Sequence, residues 1–398
     1  MGKRTRKNKE LILDIAEKYR GTGETLCSHF GECGGCLFQD ISYENQLEIK
    51  AQYLNQVCAD VLPRIENIHA TEPFGYRNRM DYVAAFGCRG FRKRGSFKQV
   101  VDITECPLLQ NNSEEVWKRI HNSIHEIEDY DYLSHHGFLR YTVLRQGFFS
   151  GETMLNFVVS EKKDLEIFEK ILNSVDSLVN SSSILLNDSL TDLSFGPEIH
   201  TIKGGSITES FDLENSPHNN NKSIKFTIHP NTFFQSNSKV AVNMYRKIRE
   251  LVSGRVLDLY CGVGSISLFC ADQCESITGV DIVEDSINSA KQNMQLNNIE
   301  NASFVCADAR PFIKENSKSF DTLILDPPRA GINPRMYKYL HSLSPSRIIY
   351  MSCNPVTFKS DYENLKEQYS LESFEVFDMF PQTPHMESLA LLVKRGNI

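Results

Sequence analysis

No stretch of this 398-residue sequence is apolar over the roughly 20 residues a membrane-spanning helix needs, and no long internal repeat divides it. Hydrophobic residues make up 40% of the chain and mean hydropathy is −0.34, as expected of a soluble globular protein of two or three domains. No apolar signal-peptide core follows the basic start, so a cytoplasmic, reducing compartment is expected. Eleven cysteines are too few for a dense disulfide scaffold. An excess of positive charge is missing too. A net charge of −8 does not by itself indicate a nucleic-acid binder. A full Gly-x-Gly-x-x-Gly is also absent, which argues against a dinucleotide pyrophosphate and for a ligand without phosphate.

What is present from about residue 225 onward is an alternation of strands and helices, as an α/β sheet requires. The run 255–260 is a strand feeding directly into Cys261-Gly262-Val263-Gly264, a turn that lets backbone approach a ligand at the strand's carboxyl end. Strands at 277–281, 304–308 and 322–326 each end in an acid: Asp281, Asp308 and Asp326. The spacing from the glycine turn to Asp281 suits a carboxylate that grips ribose hydroxyls. S-adenosylmethionine is a phosphate-free ligand of this kind. The strand 347–352 leads into Ser352-Cys353-Asn354-Pro355, and the runs 373–378 and 388–393 form a terminal hairpin with Glu387 at its mouth. The pattern predicts the seven-stranded, Rossmann-like methyltransferase architecture.

A second constellation is Cys27, Cys33 and Cys36, with glycines between the last two and Cys106 far downstream. Three closely spaced thiols can wrap one metal centre while a fourth arrives from elsewhere in the fold. Spacing alone leaves zinc and iron both open. The other thiols, Cys58, Cys88, Cys261, Cys270, Cys274 and Cys306, have no partner pattern and read as core or surface residues.

Positive charge is local. Lys3, Arg4, Arg6, Lys7 and Lys9 form a basic start, and Arg89, Arg92, Lys93, Arg94 and Lys98 alternate with Phe91 and Phe97, just after Arg77 and Arg79. Such charge runs are usually solvated faces, yet basic residues interleaved with aromatics hold phosphates and stack splayed bases. RNA contact is therefore expected over 77–98. The segment 68–224 carries short alternating runs, with some helix near 163–179, and is expected to be mainly β. A helix over about 44–62 links it to the cysteines. The polar run 214–221 reads as a surface loop.

These motifs, in this order, resemble the RNA uracil-5 methyltransferase family: Cys-Gly-Gly-Cys-Leu-Phe-Gln (33–39), Phe-Phe-Gln-Ser-Asn (233–237), Leu-Asp-Leu-Tyr-Cys-Gly-Val-Gly (257–264), Asp-Pro-Pro-Arg-Ala-Gly (326–331), Ser-Cys-Asn-Pro (352–355) and Phe-Pro-Gln-Thr-Pro-His-Met-Glu-Ser (380–388). The resemblance implies Cys353 as nucleophile and Glu387 as general base. It implies Gln235, Tyr260, Asp281 and Asp326 as cofactor contacts, with Gly262 and Asp308 as further cofactor-site residues. Asp281 departs from the family's more usual Glu, and Ser360 stands where relatives commonly carry Arg. The resemblance also selects a four-iron, four-sulfur cluster on Cys27, Cys33, Cys36 and Cys106.

The organisation it implies is a basic tail with cluster cysteines over 1–67, a β-rich RNA-binding domain over 68–224 and a catalytic domain over 225–398. Relatives often begin with a small β-barrel; only 26 residues precede Cys27, too few for it. That shifts the expected substrate towards a uridine of 23S rRNA, with the T-loop uridine of tRNA as the alternative, acted on by a monomer. A non-catalytic RNA-binding or folding factor is the competing class, opposed by the intact Cys353, Glu387 and cofactor positions.

Overall fold

The computed structural model describes residues 3–213, 222–316 and 320–396. The chain opens with α1 (Lys3–Ala16) and α2 (Tyr43–Val57), the latter started by Ser42, whose Oγ accepts the Asn45 N–H at 3.4 Å. Next come β1 (Arg79–Ala85), β2 (Cys88–Arg92), β3 (Val100–Asp102), α3 (Asn111–His125), β4 (Leu139–Gln146), β5 (Thr153–Val159), α4 (Glu166–Asn173), β6 (Ser181–Leu186) and β7 (Glu198–Lys203). These strands make one seven-stranded sheet, ordered β3-β2-β1-β4-β5-β6-β7, antiparallel except where β5 and β6 run parallel. Every residue of β4 and β5 is buried. The amphipathic helices α3 and α4 cover one face through Trp117, Ile120, Phe168 and Ile171. Trp117 lies flat on Tyr82 with ring centroids 3.5 Å apart.

The hairpin β8 (Ile207–Asp212) and β9 (Ser223–Ile228) follows, then α5 (Ser238–Leu251), β10 (Arg255–Leu259), α6 (Ser265–Cys270), β11 (Ser276–Asp281), α7 (Glu284–Leu296) and β12 (Ala302–Cys306). The remaining elements are α8 (Ala309–Glu315), β13 (Thr322–Leu325), α9 (Tyr337–Leu343), β14 (Arg347–Ser352), α10 (Pro355–Leu365), β15 (Tyr369–Phe377) and β16 (Glu387–Lys394). The second seven-stranded sheet is ordered β12-β11-β10-β13-β14-β16-β15. Its first five strands are parallel and β16 enters antiparallel between β14 and β15. Such a sheet needs helices on both faces. Here α5, α6 and α7 supply one apolar layer and α1, α2, α9 and α10 the other.

The expected strands and terminal hairpin are all found. Two features of the middle of the chain differ. The central domain is mainly β with some helix, as expected, but it carries a second helix, α3, beside α4 on one face of its sheet. The boundary expected at 224/225 falls inside the β8–β9 hairpin, whose Ile207, Phe211, Ile224 and Phe226 are buried in the same core as α5 and the catalytic sheet. Turns cut strands apart in the sequence without saying which sheet each joins. Lys3, Arg4, Arg6, Lys7 and Lys9 fall in α1, but their side chains, like the polar run 214–221, lie outside the described residues. Among the described residues no helix is long and apolar enough to cross a membrane.

Candidate active site

Ladder register builds the centre of the site. The antiparallel pairing of β14 with β16 sets Ser352 opposite Ser388, whose hydroxyl donates to the Ser352 carbonyl at 3.2 Å. Cys353 and Glu387 are the next residues on each strand, so both emerge at the same end of adjacent strands. Asn354 then turns the chain: its N–H donates to Ser352 Oγ at 3.1 Å, the Ser352 hydroxyl donates to the Asn354 carbonyl at 2.9 Å, and Pro355 opens α10. Cys353 is half-buried and Glu387 only 6% exposed.

Electrostatics around this pair are strongly biased. Burial pushes the Cys353 thiol up to about 11, with Glu387 and Asp326 adding to the rise and Arg329 opposing it. Glu387 is lifted well above the usual carboxylate range by burial and by Asp326, again opposed by Arg329. Asp326, one residue beyond β13, is raised to about 6 by burial. Arg329 is thus a cation acting on both groups. It stands inside the Asp-Pro-Pro-Arg motif, where nothing in the sequence alone marks it as acting on Cys353 and Glu387.

The neighbouring strand ends carry the other acids. After β10 the backbone becomes left-handed at Tyr260 (φ 65°), an uncommon conformation for a residue with a side chain. Gly264 (φ 74°) is fixed sterically, since a Cβ there would come within 2.7 Å of the Phe304 ring. Gly262 faces open space, and its N–H donates to Asp281 Oδ2 at 3.0 Å while the Val283 N–H donates to Oδ1 at 2.9 Å. Asp281 therefore ties the glycine turn to β11. Asp308 caps α8 and pairs with Arg310, which holds its carboxyl down at about 2. Tyr260, Gly262, Asp281, Asp308 and Asp326 thus line the carboxyl edge of β10 to β13, and Cys353 and Glu387 continue that row. Ligands of open α/β sheets bind along this edge.

Gln235 comes from a different segment. It precedes α5 and lines the cysteine cavity, and its carbonyl accepts from Asn78 Nδ2 at 2.8 Å.

That cavity, about 450 Å³ in volume, is walled by the thiols of Cys27, Cys33, Cys36 and Cys106, so the structure does bring the fourth cysteine to the other three. All four are free thiols. Among the described residues, no three of their sulfurs lie mutually within 4.8 Å. Burial raises Cys36 to about 11 and Cys106 to about 12.

The basic hairpin is sewn to this loop. The Gly34 N–H donates to the Arg92 carbonyl at 3.0 Å, the Arg94 N–H to the Glu32 carbonyl at 2.7 Å and Arg94 Nη2 to the Cys36 carbonyl at 2.7 Å. A Cβ on Gly34 would meet the Arg92 carbonyl at 2.9 Å, so glycine is required at that approach. Arg89, expected to face RNA, is corrected here. It is 2% exposed and donates to the Ile124 and Ile127 carbonyls, a brace inside the domain. Phe97 remains exposed with Arg92 over its ring at 4.7 Å.

On the other side, the Leu37 and Phe38 N–H groups donate to the Gln382 carbonyl at 2.8 and 3.1 Å. Gln46 Nε2 reaches Gln382 Oε1 at 2.9 Å, and the Gln382 N–H returns to Gln46 Oε1 at 2.9 Å. The cysteine segment therefore grips the loop that carries Glu387.

Comparison with known proteins agrees with this geometry. Residues 206–395 match the model of the tRNA (uracil-5-)-methyltransferase family, a span that begins just before the β8–β9 hairpin. The tRNA (uracil(54)-C(5))-methyltransferase of Pyrococcus furiosus is 38% identical over 92% of this chain and 84% of its own length. The chain belongs to the RNA uracil-C5 methyltransferase family. It is an enzyme of that family, with the fold of S-adenosylmethionine-dependent methyltransferases. The crystal structure of the Pyrococcus abyssi tRNA (uracil-54, C5)-methyltransferase with S-adenosyl-L-homocysteine superposes with a TM-score of 0.77 at 37% identity, covering 90% of this chain and 86% of that one. The 23S rRNA (uracil(747)-C(5))-methyltransferase of Pyrococcus horikoshii is 31% identical over 93% of this chain and 85% of its own length.

Proposed function

We propose that this enzyme methylates C5 of the T-loop uridine of tRNA, with Cys353 as nucleophile, Glu387 as base and S-adenosylmethionine as methyl donor. The 23S rRNA substrate favoured by the short segment before Cys27 is set aside. The tRNA enzyme of P. furiosus matches at 38% identity and the 23S rRNA enzyme of P. horikoshii at 31%, so the tRNA alternative is the better supported.

The observation that carries the chemistry is the β14–β16 register, which delivers a thiol and a buried carboxyl to one strand edge. The Cys353 thiolate adds to C6 of the uracil, opening the C5–C6 double bond and making C5 nucleophilic. Bound S-adenosylmethionine would supply the methyl group to that carbon, its S–CH3 bond breaking to leave S-adenosylhomocysteine. Glu387 then removes the C5 proton, the double bond re-forms, and sulfur leaves as thiolate. The raised Glu387 makes a stronger base than an ordinary carboxylate, as abstraction of a carbon-bound proton needs. Arg329 supplies the positive charge that favours the ionised forms of both groups. Tyr260, Gly262, Asp281, Asp308 and Asp326 would hold the cofactor along the strand ends, joined by Gln235 as the resemblance implies.

Four free thiols lining one cavity, taken with the family resemblance, support a four-iron, four-sulfur cluster on Cys27, Cys33, Cys36 and Cys106. It would serve as a clamp between the basic hairpin and the Glu387 loop. Lys93, Arg94 and the Arg92–Phe97 stack give that hairpin an RNA-facing character. Anaerobically purified protein should carry about four iron and four sulfide per chain; stoichiometric zinc with no iron would reverse this part.

The substrate test is methyl transfer to tRNA and 23S rRNA transcripts, each with or without 5-fluorouridine at the target. The tRNA should be methylated, and its fluorinated form should trap the enzyme covalently. Methylation of 23S rRNA alone would overturn the tRNA reading. Turnover without any fluorouridine adduct would overturn the mechanism.

A further inference from the structure

Away from both thiol sites, the central domain assembles a third set of ligating groups. His121 and His125 are four residues apart on α3 and so share one face of the helix. That face meets the last residue of β3, Asp102, with His125 Nε2 at 2.9 Å from Oδ1 and His121 Nε2 at 3.3 Å from Oδ2. The two imidazole rings are in edge contact, centroids 4.7 Å apart. Among the described residues these three form a group whose donor atoms all lie within 4.8 Å of one another.

A hydrogen-bonded histidine and carboxylate would account for His125 and Asp102 alone. It does not account for His121. That residue is 7% exposed, and its Nε2 is buried without any hydrogen-bond partner, although it points at Asp102. An orphaned buried ring nitrogen is costly unless something supplies the missing partner. A cation between the three groups does so. The three donor atoms, all within 4.8 Å of one another, are close enough to share one ion.

The surroundings are prepared for this. The Asp102 carboxylate is oriented by the Arg89 N–H, which donates to Oδ1 at 2.7 Å. The Arg89 guanidinium is turned away onto the carbonyls of Cys88, Ile124 and Ile127. The Asp102 and His125 side chains are 37% and 31% exposed, leaving a path for the ion and an open coordination position towards solvent.

We propose that Asp102, His121 and His125 form a binding site for a divalent transition-metal ion, zinc(II) foremost. Two imidazoles and one carboxylate disfavour magnesium and calcium, which take oxygen ligands. The ion would bolt α3 to β3 four residues before Cys106, in the strand whose next residue, Ile103, already accepts the Trp117 indole N–H at 2.6 Å. It would brace the wall of the cysteine cavity without joining it.

Equilibrium dialysis of the full-length, cluster-loaded protein against zinc(II), with zinc and iron measured on the same sample, tests this. Wild type should take up about one more zinc per chain than His125→Ala, with iron unchanged. The apparent Kd should rise by about a hundredfold in that variant. His125→Cys restores a ligand and should restore the zinc, which separates lost coordination from lost folding. Equal zinc in wild type and His125→Ala would overturn the proposal. So would zinc gained only as iron is lost, since that places it on the cysteines.

Discussion

Cys353 stands alone at a strand end, beside two acids and an arginine. Cys27, Cys33, Cys36 and Cys106 instead converge from loops onto one cavity. The first arrangement is made by register. Once β14 and β16 pair, the thiol and Glu387 have no freedom to separate, because a slip by one residue would exchange the side chains that β16 sends to the two packed faces of the sheet. The second is made by side-chain and main-chain bonds between segments with little regular structure. It needs Gly34, Gln39 and Arg94 to hold each loop in place. A site on a ladder is rigid before its ligand arrives, whereas a site on loops relies on its ligand for part of its order. The two regions should fail differently when cut.

The sharpest cut is Cys353→Ala. Turnover should fall by about 10⁴-fold or more, since the whole addition pathway runs through that sulfur. S-adenosylmethionine binding, measured by calorimetry, should be retained, because the acids at β10 to β13 are untouched. Retained methyl transfer would remove Cys353 from the chemistry.

Next in size is Glu387→Gln, with turnover lowered by roughly 10²- to 10⁴-fold. Addition and methylation precede loss of the C5 proton, so this variant should stall as a gel-stable protein–RNA adduct carrying label from the methyl donor. Inactivity without an adduct would assign Glu387 to substrate binding instead. Stability gives an independent reading. A carboxyl whose folded pKa is raised contributes stability at low pH that is lost as pH rises through that pKa. Glutamine does not titrate, so Glu387→Gln should melt above wild type at pH 8, with the gap closing towards pH 5. A gap that widens on acidification would contradict the burial argument.

The difference between the two regions also explains what could be read from the sequence. Strand ends announce themselves: apolar runs stopping at Asp281, Asp308, Asp326 and Cys353 give the sheet and its ligand edge directly. Cys27, Cys33 and Cys36 are visible through their spacing. Cys106 is joined to them only by a fold that no local pattern encodes. The same holds for Arg89, which looks like its basic neighbours until α3 is seen to bury it. Arg329 lay inside a quoted motif, but its role depends on the side chains it faces. Lys50 was invisible as well: it sits on α2, 0% exposed, with Nζ 2.6 Å from an equally buried Asp378 that lies 328 residues away. Pairing at such separation leaves no trace in periodicity.

That buried pair offers the third test, on the scaffold rather than the chemistry. Lys50→Met leaves the buried Asp378 carboxyl without its cation, and should lower unfolding stability by about 3–5 kcal/mol in denaturant titration. Adding Asp378→Leu should recover most of the loss, because replacing both charges removes the uncompensated one. If the single variant costs under about 1 kcal/mol, water reaches the pair and α2 docks by its apolar face alone.

The smallest expected effect bears on whether the two thiol regions are coupled at all. Gln46 touches neither, yet its amide joins the Phe38 and Ile41 carbonyls at 3.0 and 2.9 Å to the Gln382 side chain and backbone. Gln382 has a left-handed backbone (φ 68°) and lies five residues before Glu387. Gln46→Ala removes the amide bonds to the Ile41 carbonyl and to Gln382 and should cost about 1–3 kcal/mol. The Leu37 and Phe38 N–H groups still hold the Gln382 carbonyl, so the loop should loosen rather than detach. We therefore expect kcat to fall only several-fold, roughly 3- to 10-fold, with iron content unchanged. Cys36→Ser approaches the same loop from the other side, one residue before Leu37, and should lose iron and show a kcat loss of similar size. Matching losses would mean that the cysteine centre acts on catalysis through the Gln382 loop. A Cys36→Ser enzyme that loses iron yet keeps kcat would make the regions independent, and the clamp would then serve RNA binding, visible in KM alone.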